Sequence, residues 1–144
     1  MKTFNFLSLF QDSIHAYNKL CEPILSEFDI HQVSFDILMF LANNPEFSTA
    51  QEISEIRNIK KNLVSVHVDK LVNAGLLQRG TIAGDRRKVA LSYTENAKPI
   101  IEAGLNMQKV YYEQLTKGIS NDKLDIYREI IETMAENAKK IAKS

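Results

Sequence analysis

Asp85, Arg86, Arg87 and Lys88 stand together behind a glycine in the run GTIAGDRRKVALSY, with alternating strand-type residues around them. That pattern describes a hairpin whose tip is suited to touch something negative. A planar guanidinium fits a narrow groove of negative potential better than an ammonium does, and Asp85 is positioned to pair with Arg86 or Arg87 and hold it in one rotamer. A second set lies upstream in KKNLVSVHVDKLVNAG, where Lys61, Asn62, Ser65, Val66, Asp69 and Lys70 face away from the apolar side of a helix. Lys61 and Lys70 suit phosphates, whereas Asn62 and Ser65 can hydrogen-bond base edges or phosphates, and Val66 can meet a thymine methyl or make no base contact.

Other chemistries find little support. The chain has no glycine-rich phosphate loop, no Gly-x-Ser-x-Gly elbow, no His-Glu-x-x-His and no close Cys-His pair, so an enzyme is not expected. His15 and His31 lack metal-ligand spacing, and His15 and Cys21 point about 120° apart on one helix, so neither a metal nor a cofactor is expected. His67, set among Val64, Val68 and Leu71, reads as a packing residue rather than a base reader.

The elements that must hold these residues follow from periodicity. Phe6, Phe10, Ile14, Tyr17, Cys21 and Ile24 form one stripe of an opening helix that Pro23 should kink or end. A second helix is expected from about Val33 to Ala42. A third, capped by Ser48 or Thr49 with Glu52 behind it, should run to about Ile56. The fourth carries the polar face above, from Lys60 or Lys61 to Ala74, and Gly75 stops it. The period then changes to two: Leu77 begins one strand, and Val89, Leu91 and Tyr93 alternate along its partner. Thr94 and Glu95 open a long helix to the Lys117-Gly118 break, and a last helix from Ser120 carries Leu124, Tyr127, Ile131, Met134, Ala138 and Ile141.

This order predicts a mainly α chain with a small β-hairpin: a dimerisation helix over residues 1–30, a winged helix-turn-helix over 31–93, and dimerisation helices over 94–144. The striped terminal helices need a partner that a small core cannot supply, and a second copy is the economical one. With 144 residues, 44% of them apolar, the chain suffices for one structural domain. The net charge is zero, but residues 50–90 carry +4 and residues 1–49 carry −4, so a basic face is local. No apolar run spans a membrane and no signal peptide is read, and a single cysteine, Cys21, suits a reducing cytoplasm. Cys21 is expected in the core, with a thiol sensor as the alternative.

The run DKLVNAGLLQRGTIAGDRRKVALSYT resembles the winged helix of MarR-type transcriptional regulators. Leu71, Gly75, Leu76, Arg79, Asp85, Arg87 and Thr94 match that family's pattern position by position, and PILSEFDIHQVSFDILMFL is similar to its junction of first and second helices. Tyr93, Ala97 and Val66 depart from it, the last standing where many members put an arginine or a polar residue. The resemblance implies a homodimeric repressor of double-stranded DNA that reads a pseudo-palindromic operator with recognition helices about 34 Å apart. It also implies release by a small anionic or phenolic effector, or by cysteine oxidation, that favours a dimer shape unable to match the spacing. His15, Met39 and Tyr111, with Tyr112, are candidates to line the effector pocket. The peroxide-sensing members carry their cysteine much earlier in the first helix than Cys21. A winged-helix module that binds an acidic protein partner is the competing reading.

Overall fold

The computed structural model describes residues 3–144. The chain divides into two compact units, Met1–Tyr111 and Tyr112–Ser144. In order the elements are α1 (Thr3–Glu27), α2 (Gln32–Asn43), α3 (Ala50–Arg57), α4 (Lys61–Asn73), β1 (Leu77–Ile82), β2 (Asp85–Tyr93), a 3₁₀ turn (Glu95–Ala97), α5 (Lys98–Leu115) and α6 (Asn121–Lys143). The architecture is mainly helical, with one two-stranded antiparallel hairpin.

The first unit is organised around α2, the most apolar helix in sequence. Phe35, Ile37, Leu38, Met39, Phe40 and Leu41 are all buried, so α2 presents apolar side chains on nearly every side and must be surrounded. Cys21 and Ile24 of α1, Ile53 of α3, Val64, Val68 and Leu71 of α4, Leu77 and Leu91 of the hairpin, and Ile100, Ile101 and Met107 of α5 complete this core. Cys21 is fully buried, as expected, and burial pushes its thiol pKa up. That is the opposite of what a reactive thiolate needs.

Of the two outcomes expected at Pro23, an end to the helix does not occur. The proline lies inside α1, which continues to Glu27. Both Pro23 and Lys19, whose carbonyl loses its helical donor, are on the exposed side, where water can replace the missing bond. The helix ends instead at Asp29, which takes a left-handed φ of 49° while the Ile30 amide bonds the Leu25 carbonyl.

Thr94 also acts differently from the helix cap its position suggests. Its hydroxyl donates to the Gly75 carbonyl at 2.6 Å, clamping the two ends of the hairpin together, and the chain passes through the 3₁₀ turn before α5 begins. Gly75 itself has φ 74°, the left-handed conformation that stops α4.

In the second unit, Ser120 caps α6 by accepting from the Lys123 amide, and Arg128 donates to the Tyr112 hydroxyl at 3.1 Å. Leu124 is buried, but Ile126, Tyr127, Ile130, Met134 and Ile141 are exposed along α6. In α1, Leu7, Leu9, Phe10 and Ile14 are likewise exposed.

α5 approaches α2 closely at Gly104. A β-carbon added there would overlap Met39 Sδ and lie 3.0 Å from Phe35 Cζ, both side chains being buried. Alanine favours a helix over glycine by about 1 kcal/mol, whereas overpacking a filled core costs roughly 1–3 kcal/mol. Gly104→Ala should therefore lower the urea midpoint with an unchanged slope; a raised midpoint would show that Met39 yields freely.

Candidate nucleic-acid interface

Helix α4 is seated by the spacing of its apolar residues. Val64, His67, Val68 and Leu71 are buried at three- and four-residue steps, which turns Lys61, Asn62, Ser65, Val66, Asp69 and Lys70 to solvent. The preceding turn is specified locally. Thr49 and Glu52 form a reciprocal capping box on α3, and Asn58 ends that helix with a left-handed φ of 53°. Ser54 then donates its hydroxyl to the Ile59 carbonyl at 2.6 Å, fixing the entry to α4. Lys60 gives α4 no side-chain cap, and its carbonyl accepts from the Leu63 and Val64 amides.

A polar contact fixes the buried side of α4. His67 Nδ1 and Ser34 Oγ of α2 share a hydrogen bond of 2.8 Å, and the His31 ring stacks at 4.7 Å from the His67 ring. His31 Nδ1 accepts from the Val33 amide and so caps α2. His67 is thus a packing residue, as the sequence suggests, though one with a specific partner. Burial above all, then the charges of His31 and Lys70, lowers its pKa below 6.5.

The wing departs from a regular hairpin where the cations lie. Its strands pair from Leu77↔Tyr93 to Thr81↔Val89, then Ile82 pairs with Asp85, leaving Arg86, Arg87 and Lys88 in a bulge without register partners. Gly84, at φ 86°, makes the reversal. All three cations are exposed, and among the described residues none of them forms an ion pair; the same holds for Lys61 and Lys70. The expected pairing of Asp85 with an arginine head is not found. Its carboxylate instead accepts from the Arg87 backbone amide at 2.9 Å, because the bulge brings that unpaired amide back over the aspartate. Asp85 therefore orders the wing's backbone and leaves the guanidinium groups free.

Arg79 was matched only as part of a motif, but it has a definite task. Its guanidinium forms an ion pair with Asp69, joining β1 to the exposed side of α4. No local signal reveals this contact, since it spans two elements.

Beside this surface a cavity of about 900 Å³ opens among α1, α2, the α3–α4 turn and α5. Met39 and Tyr111 line it. His15 does not, because its neighbour Ile14 occupies the cavity side and successive helical residues turn by about 100°; Tyr112 is also absent from the wall. Tyr111 donates to the Ser13 carbonyl at 2.9 Å and packs edge-on against Tyr17, which accepts from Gln108. Sequence reasoning missed Asp36 and Arg57 on the same wall. Arg57 lies 3.6 Å from the Asp36 carboxylate, and Gln32 donates to it, yet burial still raises the Asp36 pKa. Among the described residues no cluster of potential metal ligands occurs, and no helix is long and apolar enough to cross a membrane.

A model of the MarR family matches residues 28–88, from the end of α1 through the charged bulge of the wing. Over this segment the chain is similar to the MarR family. The fold agrees along most of its length. The transcriptional regulator PA3341 has 20% identity and a TM-score of 0.82, covering 94% of this chain and 98% of its own. A MarR protein of Peptoclostridium difficile has 19% identity and a TM-score of 0.79, covering 97% and 92%. MepR of S. aureus, solved as a complex with DNA, has 19% identity and a TM-score of 0.72, covering 95% and 99%. The likeness of fold therefore spans nearly the whole chain in each case.

The seat of α4 carries a pH dependence. The unfolded chain protonates His67 near 6.5, while the folded chain resists protonation to a lower pH, so the unfolded state binds more protons between those values. Stability from this residue should be complete above about pH 6.5 and fall as pH drops toward the lowered value. Comparing denaturation midpoints of the wild type and His67→Gln between pH 7.5 and 5 checks this, because the variant should lose part of the acid slope. An identical slope would assign it to other groups.

Proposed function

We propose that this chain is a MarR-type transcriptional regulator that binds a pseudo-palindromic DNA operator as a homodimer, acts as a repressor, and is released by a small anionic or phenolic effector. The observation that carries the reading is the pair of bare cationic elements: Lys61 and Lys70 on α4, and Arg86, Arg87 and Lys88 on the wing. Five exposed cations without ion-pair partners match phosphates, and Asn62 and Ser65 lie between them with hydrogen-bonding groups for bases. The solved complex of the similarly folded MepR with DNA supports the assignment.

A helix that reads one half-site gains register and affinity when a second copy reads the other. The exposed apolar side chains of α1 and α6 favour such a partner, since a patch of this kind is costly to leave in water. The cavity walled by Met39, Tyr111, Asp36 and Arg57 is the place for an effector, with the Arg57 guanidinium on its wall to meet an anionic or phenolic group.

Selection of the purified protein against random duplexes tests the central claim. An inverted repeat with half-sites about one helical turn apart should be enriched; a folded dimer that enriches nothing would shift the assignment to a protein partner. Arg87→Ala should weaken binding without unfolding the protein. Lys61→Ala and Lys70→Ala should each weaken all sequences alike and flatten the dependence of log affinity on log salt by about 1; sequence-selective loss would contradict their phosphate role. In the second unit, Ile130→Glu should give a folded monomer by light scattering with reduced operator affinity, and a retained dimer would move the interface elsewhere.

A further inference from the structure

Val66 is 48% exposed at the middle of α4, on a face that is otherwise polar or charged. The other apolar side chain exposed on that helix, Leu63, lines the cavity, whereas Val66 belongs to neither cavity nor core. Its polar neighbours are partly committed. Asp69 is held by Arg79 through one carboxylate oxygen, and Lys61 and Lys70 are assigned to phosphates. That leaves Asn62, Ser65 and Val66 with uncommitted chemistry toward bases.

We infer that this chain reads an A·T-rich element in each half-site, with Asn62 hydrogen-bonding an adenine edge and Val66 packing on a thymine C5-methyl. The inference rests on the proposed placement of α4 in the major groove. Asn62 and Val66 are one helical turn apart, about 6 Å along the axis, which corresponds to roughly two base steps. The asparagine amide presents a donor and an acceptor that match adenine N7 and N6 together. The valine isopropyl group can satisfy no hydrogen bond, so against guanine or the cytosine amino group it would strip water and return nothing. Against a thymine methyl it removes two apolar surfaces from water at once. Thymine is thereby selected by what valine lacks as much as by what it touches.

The test uses the full-length protein and the best duplex from random selection. Thymines in the half-sites are replaced one at a time by deoxyuridine, which removes only the methyl group. At one position per half-site this should weaken binding by roughly fourfold, the value of one buried methyl-sized group. Val66→Ser, at an exposed position, should bind thymine and deoxyuridine duplexes equally, and Asn62→Ala should relax the preference for adenine.

An enriched site with G·C pairs throughout the helix-facing positions would overturn the inference, as would equal binding of every deoxyuridine duplex. In both cases the DNA-binding reading itself would stand. A deoxyuridine effect that persists in Val66→Ser would assign the methyl group to DNA shape and also overturn it. Failure to enrich any duplex would overturn both readings together.

Discussion

Everything at the interface depends on one helix being held from a single side. α4 has 13 residues, and four of them, Val64, His67, Val68 and Leu71, fill the space against α2 and its neighbours. Apolar contact alone tolerates sliding and rotation, because it has no direction. The hydrogen bond between Ser34 and His67 does have direction, and these are the two buried polar residues among the described residues. A rotation of α4 that moved its outer side chains would have to break that bond in a dry environment. The outer face can therefore consist of residues that do nothing for stability.

The same division of labour explains the wing. Leu77 and Leu91 are the buried residues of the hairpin, and the Leu91 amide donates to the Ser48 carbonyl at 2.7 Å, anchoring its base to the turn before α3. Beyond them the strands leave the core. The ion pair of Asp69 and Arg79 joins the departing strand to α4, and the Asp85 carboxylate orders the bulge. Both are exposed interactions of small individual energy, so they set direction more than stability.

The sequence was most legible where a structure is decided within a few residues. The Thr49–Glu52 box, the Gly75 stop, the inner stripe of α4 and the change to a period of two all rest on local geometry, and each element occurs where those signals lie. Legibility declined with separation along the chain. Ser34 and His67 are 33 residues apart, and nothing in either neighbourhood names the other. Asp36 and Arg57 share a cavity wall for the same unreadable reason. His15 lies beside Ile14, which lines the cavity, and one step around the helix turns it away from that wall. Pro23 lies on the exposed side of α1 and does not end the helix there. At Asp85, the sequence identified the residue but not its bond, because charge pairing was the obvious match for a carboxylate and the bulge offered a closer amide.

The bulge of Arg86, Arg87 and Lys88 also bears on the protein's behaviour toward its own kind. A hairpin of only two strands has two open edges, each with unpaired amides and carbonyls on which a further strand could extend the sheet. Three residues out of register interrupt that template, and three like charges repel another copy carrying the same stretch. Two wings brought edge to edge would meet the wrong spacing and the wrong sign. The bulge proposed to meet a polyanion therefore also makes this hairpin a poor seed for aggregation.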